Sequence, residues 1–168
     1  YTLKLKDLPL IDVNCIAVGF ILRLLAGIYI LGDIPTTWVV LCTFSLALLL
    51  ALAKRRSELI SLNGASDAQR PSLAGYSVPF LDSVVNSAAT VTIISYALFT
   101  VLSGKNSTLI FTVPIVYYAV MRYKMIMMNE SAEEPESILV HDRGIQFSII
   151  IWLVMYYVII HGDFNLLL

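Results

Sequence analysis

Five apolar runs, each long enough to cross a hydrocarbon layer, constrain this chain more than any other feature. They lie at about 10–31, 37–53, 79–102, 108–125 and 144–160. A spanning helix needs about 20 mainly apolar residues. In lipid every backbone N–H and C=O must be satisfied within the structure, so only helices or closed barrels span. Barrel strands alternate over about ten residues, whereas stretches such as 46–52 and 149–154 are continuously apolar. The expected fold is all-α, a polytopic transmembrane bundle of about five helices. Composition agrees, with 58% hydrophobic and 14% charged residues; a soluble domain carries about a quarter charged.

The connections alternate in length. Gly32-Asp33-Ile34-Pro35 and Ser103-Gly104-Lys105-Asn106-Ser107 are tight, turn-forming segments. The segments 54–78 and 126–143 are long and polar. With five spans, these two loops share a side with the N-terminus. That side holds Lys4, Lys6, Lys54, Arg55, Arg56, Arg70, Arg122, Lys124 and Arg143, the other side only Lys105, and Arg23 lies within the first run. Cytoplasmic loops carry the Lys/Arg excess, so the N-terminus and both long loops are expected in the cytoplasm. A formal net charge of −1 gives no reason to expect nucleic acid as a partner. Cys15 and Cys42 sit in apolar runs, which suggests neither a disulfide framework nor a metal site. The chain opens at Tyr1 with no signal-peptide pattern. The expectation is a piece of a longer protein, with residues 1–168 forming the C-terminal part of one transmembrane domain.

Charged residues at the ends of the spans are the candidates for chemistry. In Lys54-Arg55-Arg56-Ser57-Glu58, a helix continued by one turn puts Lys54 and Glu58 on one face, with Arg55 pointing elsewhere. Lys and Arg suit phosphate, and Glu58 suits a hydroxyl or a metal; a positive-inside anchor is the plain alternative. Arg70 and Tyr76 are placed to close over an anion, or belong to a solvated loop. Arg122 reaches a phosphate or snorkels to the interface. Glu130, Glu133, Glu134 and Glu136 read as solvated surface. Asp142-Arg143 opens the last helix, where Asp142 also suits a cap, and His141 beside it is a base or an interfacial side chain. Arg23 in an apolar run is costly. It is expected to face a cavity or to be structurally paired, and Asp12 is too far along the same helix to serve. No Walker loop, dinucleotide fingerprint or zinc-ligand spacing is present.

Five segments then carry a resemblance: YTLKLKDLPLIDV at 1–13, GFILRLLAG at 19–27, LAKRRSEL at 52–59, RPSLAGYS at 70–77 and HDR at 141–143. Together they resemble the C-terminal part of the UbiA prenyltransferase superfamily, a nine-helix bundle. The resemblance is narrowest to the branch that acts on polyprenyl (decaprenyl-type) phosphates. It implies transfer of a 5-phosphoribosyl group from 5-phosphoribosyl 1-diphosphate to a polyprenyl phosphate, with release of diphosphate. The setting implied is cell-envelope polysaccharide precursor synthesis at the bacterial inner membrane. It also implies Mg2+, held mainly by an early NDxxDxxxD motif that these 168 residues lack. The superfamily's second motif, DxxxD, is replaced here by Lys54-x-x-x-Glu58. The implied site comprises Lys54 and Glu58 as catalytic groups, with Glu58 also a candidate magnesium ligand. Arg55, Arg70, Tyr76, Arg122 and Arg143 are the implied phosphate or substrate binders, while Asp12, Arg23 and Asp142 are structural or cavity-facing. The metal ligands would come from an N-terminal half of the same protein or from a partner subunit. A prenyltransferase acting on an aromatic acceptor, or a non-enzymatic transport or assembly subunit, are the alternatives.

Overall fold

A computed structural model describes residues 8–61, 73, 75–104, 106–129 and 135–161. The elements are α1 (Ile11–Ile30), α2 (Thr37–Ser61), α3 (Val78–Leu102), a 3-10 turn (Ser107–Thr112), α4 (Val113–Asn129), α5 (Pro135–His141) and α6 (Arg143–His161). The described residues form no strand. Five helices are long and apolar enough to cross a membrane: α1, α2, α3, the continuous Ser107–Asn129 unit, and α6.

The helices start and stop for local reasons. Gly32 has φ +72, a conformation that L side chains rarely adopt, and lets the chain turn from α1 towards α2. Ser77 caps α3 by accepting from the Phe80 N–H, with proline in the first turn. Asn106 accepts from the Thr108 N–H at 3.0 Å and starts the 3-10 turn. Asp142 caps α6 by accepting from the Ile145 N–H at 2.8 Å.

Two differences from the apolar pattern matter. α2 runs on to Ser61, eight residues past the apolar stretch, because a helix emerging from lipid can continue with a charged surface. The segment read as one loop, 126–143, contains the end of α4 and the short helix α5.

The core is one cluster that includes Leu49, Leu52, Leu81, Val85, Val120, Met127, Ile138 and Ile145. Ala51 and Ala53 on α2 and Ala88 and Ala89 on α3 are buried in it; small side chains let helix backbones approach where no hydrophobic force drives association. Buried hydroxyls bond back to their own helices, as Thr92 does to the Ala88 carbonyl and Ser148 to that of Gly144. A polar chain links α3, the 3-10 turn and α6: the Trp152 indole N–H donates to the Tyr96 hydroxyl at 2.6 Å, which pairs with the Thr112 hydroxyl at 2.6 Å.

Candidate functional site

The described ion pairs gather at one end of the bundle, where α1, α3 and α6 begin and α2 and α4 end. Their contacts tie those termini together. Asp12, in the first turn of α1, is 1% exposed. It accepts from Arg55 Nε at 2.7 Å and from the Tyr76 hydroxyl at 3.3 Å. Arg55 Nη1 reaches Glu58 at 2.5 Å. The Tyr76 oxygen in turn accepts the Leu10 N–H at 2.5 Å. Leu10 holds φ +67, a strained conformation for a non-glycine residue that surrounding contacts must hold in place. The loop lies close enough that a Cβ on Gly75 would stand 2.6 Å from Pro9 Cγ, so glycine is required there. Burial holds the Tyr76 phenol above its ordinary range, which keeps it a donor to the carboxylate.

Two further ion pairs complete this end. Arg56, buried, binds Asp82 on α3 at 2.5 Å and the Met127 carbonyl on α4 at 2.9 Å. Arg122 on α4 pairs with Asp142 at 2.9 Å. The Arg122 hydrogen bond, with the Ile145 N–H, holds the Asp142 carboxyl below its usual value.

The structure gives several of these residues definite partners. Arg55 does not point away from Glu58; it bridges Glu58 and Asp12, because at i,i+3 its guanidinium reaches one carboxylate while a buried one on α1 orients it. Tyr76 is buried with its hydroxyl engaged on Asp12 and Leu10 rather than turned to an anion. Arg122 is held by Asp142, and Asp142 is both cap and ion-pair partner. Arg23 is exposed on α1, its guanidinium 5.4 Å above the Phe20 ring, and among the described residues no carboxylate pairs with it. Lys54 and Arg143 are exposed. His141 is exposed and bonded to the Ser137 carbonyl. Arg70, Glu130, Glu133 and Glu134 lie outside the described residues, and Glu136 lies where the description covers backbone alone. Asp82 and Met127 as partners of Arg56 were not foreseen; the acidic residue one turn into α3 was the available signal.

Magnesium fits poorly here. The described residues hold no group of three potential ligands. Glu58 and Asp12 share the Arg55 guanidinium, so both carboxylates already face a cation.

Below the charged end lies an apolar cavity of about 510 Å³ between α2, α3, α4 and α6, with Leu139 of α5 in its wall. It runs from Tyr123 and Ile145 towards Val39 and Tyr156. Tyr123 is 3% exposed, and its hydroxyl finds no hydrogen-bond partner among the described residues.

A polytopic helical membrane protein with its ion pairs concentrated at one end is the class that these observations define. No family model matches the chain. It is similar to the decaprenyl-phosphate phosphoribosyltransferase of Corynebacterium glutamicum, 28% identical over 158 residues that cover 90% of this chain and 47% of that protein. The protein of the same name from Mycolicibacterium smegmatis is 27% identical over 165 residues, covering 91% and 52%. That from Mycobacterium tuberculosis is 26% identical over 156 residues, covering 91% and 51%. The chain thus spans about half the length of the curated relatives it matches.

Proposed function

We propose that this chain is the acceptor-side part of a membrane transferase that moves a 5-phosphoribosyl group from 5-phosphoribosyl 1-diphosphate to a polyprenyl phosphate. The observation that carries the reading is a charged mouth at one end of an apolar bundle, in a chain similar along nine-tenths of its length to proteins so named. The acceptor has the matching polarity, an anionic head on an isoprenoid tail. The tail suits the apolar cavity and the surrounding lipid; the head suits the charged end.

A phosphate oxygen of the acceptor attacks the anomeric carbon of the ribose. The bond from that carbon to the diphosphate oxygen breaks, and diphosphate leaves with the electron pair. The acceptor is already an anion, so no strong base is needed. Charge on the leaving group must be stabilised, and fixed donors are the usual large contributor. Lys54 and Arg143 are the exposed cations assigned to phosphate, with Arg70 in the same role. Glu58 is assigned to a ribose hydroxyl, and Asp12, Arg55 and Tyr76 fix its position. Magnesium, where the reaction uses it, takes its main ligands from outside these residues. The basic excess supports a cytoplasmic position for this end, in keeping with a bacterial inner membrane and a soluble phosphoribosyl donor. The reading extends to a role in cell-envelope polysaccharide precursor synthesis, which the polyprenyl phosphate acceptor class supports.

Substitution in the complete protein tests the site. Lys54→Ala and Glu58→Ala should each lower phosphoribosyl transfer by about a hundredfold or more while circular dichroism stays unchanged. Full activity in both variants would remove the site assignment.

A further inference from the structure

Arg23 points to an interaction surface that the proposed reaction does not use. α1 has 20 residues, Ile11–Ile30, and packs on α2 through a side that buries Val13 and Ala17. Arg23 lies off that side and is exposed, as are Val18, Phe20 and Leu22 around it. Its guanidinium does not run outward. A Cβ built on Gly19 would lie 3.7 Å from Arg23 Nη1, and the guanidinium carbon stands 5.4 Å from the Phe20 ring centroid. Helical side chains lean towards the helix N-terminus, and here that direction takes the charge to the level of residues 19 and 20, the middle of the helix. Either end is about 15 Å away at 1.5 Å per residue, beyond the reach of snorkelling.

A guanidinium at mid-membrane needs a counter-ion or a wet cavity, and in known membrane proteins such groups pair with one another or with backbone carbonyls. The Phe20 ring supplies a π face and no charge. Asp12 is three turns away and holds Arg55. Among the described residues none pairs with Arg23. Gly27, one turn beyond Arg23, has nothing within 4 Å of a Cβ built on it, so this surface is open to another helix backbone. The relatives are about twice as long as the stretch matched here.

We propose that this face of α1 docks a further membrane-spanning helix, supplied by the part of the relatives' length that these 168 residues do not cover. That helix sets an Asp or Glu against the Arg23 guanidinium near mid-membrane. The pairing supplies the charge that α1 lacks and fixes the rotation of α1 against its new neighbour.

The test uses the protein of the complete reading frame in its native membrane, treated at pH 7 with a hydrophobic carbodiimide, which modifies protonated carboxyl groups in lipid. Peptide mass mapping locates the product. In the unaltered protein and in Arg23→Lys the partner acid stays ionised and unlabelled. In Arg23→Leu it loses its cation, its pKa rises by units through burial, and labelling at one Asp or Glu of a helix outside these residues rises about tenfold or more. Should Arg23→Leu not accumulate, Arg23→Gln removes the charge and keeps donors, and is read in the same way. The proposal is overturned if no carboxyl gains label, if the label falls in a water-exposed loop or on a separate polypeptide, or if the reading frame supplies no further membrane helix.

Discussion

Ion pairing decides what single residues at the charged end are available to do. Arg55 lies between Asp12 and Glu58, and the tyrosine that fixes Asp12 also holds the strained Leu10 N–H. Sequence spacing put Lys54 on the face of Glu58 and Arg55 elsewhere, whereas Arg55 reaches Glu58. Spacing could not find Asp12 as the second partner of Arg55, because the two residues stand 43 apart in the chain and only folding brings them together. Tyr76 was legible as a functional-looking residue, but not which oxygen it would reach. Asp142 was legible as a cap, and it caps; its bond to Arg122 adds a pH dependence. Its carboxyl is held below the ordinary value of 3.8, chiefly by Arg122 and then by the Ile145 N–H. A depressed carboxyl stabilises the folded state fully above its unfolded pKa, and that stabilisation is lost as pH falls through the folded value. The difference in unfolding midpoint between the wild-type chain and Asp142→Asn should therefore be constant from pH 7 down to about 5 and shrink below about 4. A difference that is unchanged at pH 3 would contradict the pairing.

At the scale of helices, length and apolarity were enough. Each of the five spans was legible because about 20 apolar residues in lipid leave few choices. The ends were less so. The last turns of α2 carry charges that the apolar run does not include, yet the helix continues as Arg55 pairs with Glu58 and with Asp12 on α1, and Arg56 with Asp82 on α3. Helix α5 has seven residues, too few to be stable alone, and its Ile138 is held by the core that it joins. Alternation of the spans puts the α1–α2 turn and α5 on opposite sides. With α5 in the cytoplasm, Val140→Cys, at a residue 65% exposed, should react with a membrane-impermeant thiol reagent only after cells are permeabilised. Ile34→Cys, at a residue 83% exposed, should react in intact cells. Both measurements use a background free of Cys15 and Cys42, and the reverse pattern would invert the topology.

Across the whole molecule, polarity is segregated along one axis. Ion pairs join the helix termini at one end, an apolar cavity lies beneath them, and a bonded Trp152–Tyr96–Thr112 chain ties α6 to α3 towards the other. The proposed polyprenyl phosphate acceptor matches this polarity, its head suited to the charged end and its tail to the apolar cavity. The general plan was legible in the sequence because hydropathy and basic residues report it directly; the cavity was not, since its walls come from five separate helices. The most direct measurement supplies radiolabelled 5-phosphoribosyl 1-diphosphate and a polyprenyl phosphate to membranes that contain the complete protein, and follows label into the lipid fraction. The account predicts lipid-soluble label that requires both the protein and the polyprenyl phosphate, with diphosphate released in equal amount. Label that stays in the aqueous fraction, while the protein is intact and folded, would contradict it.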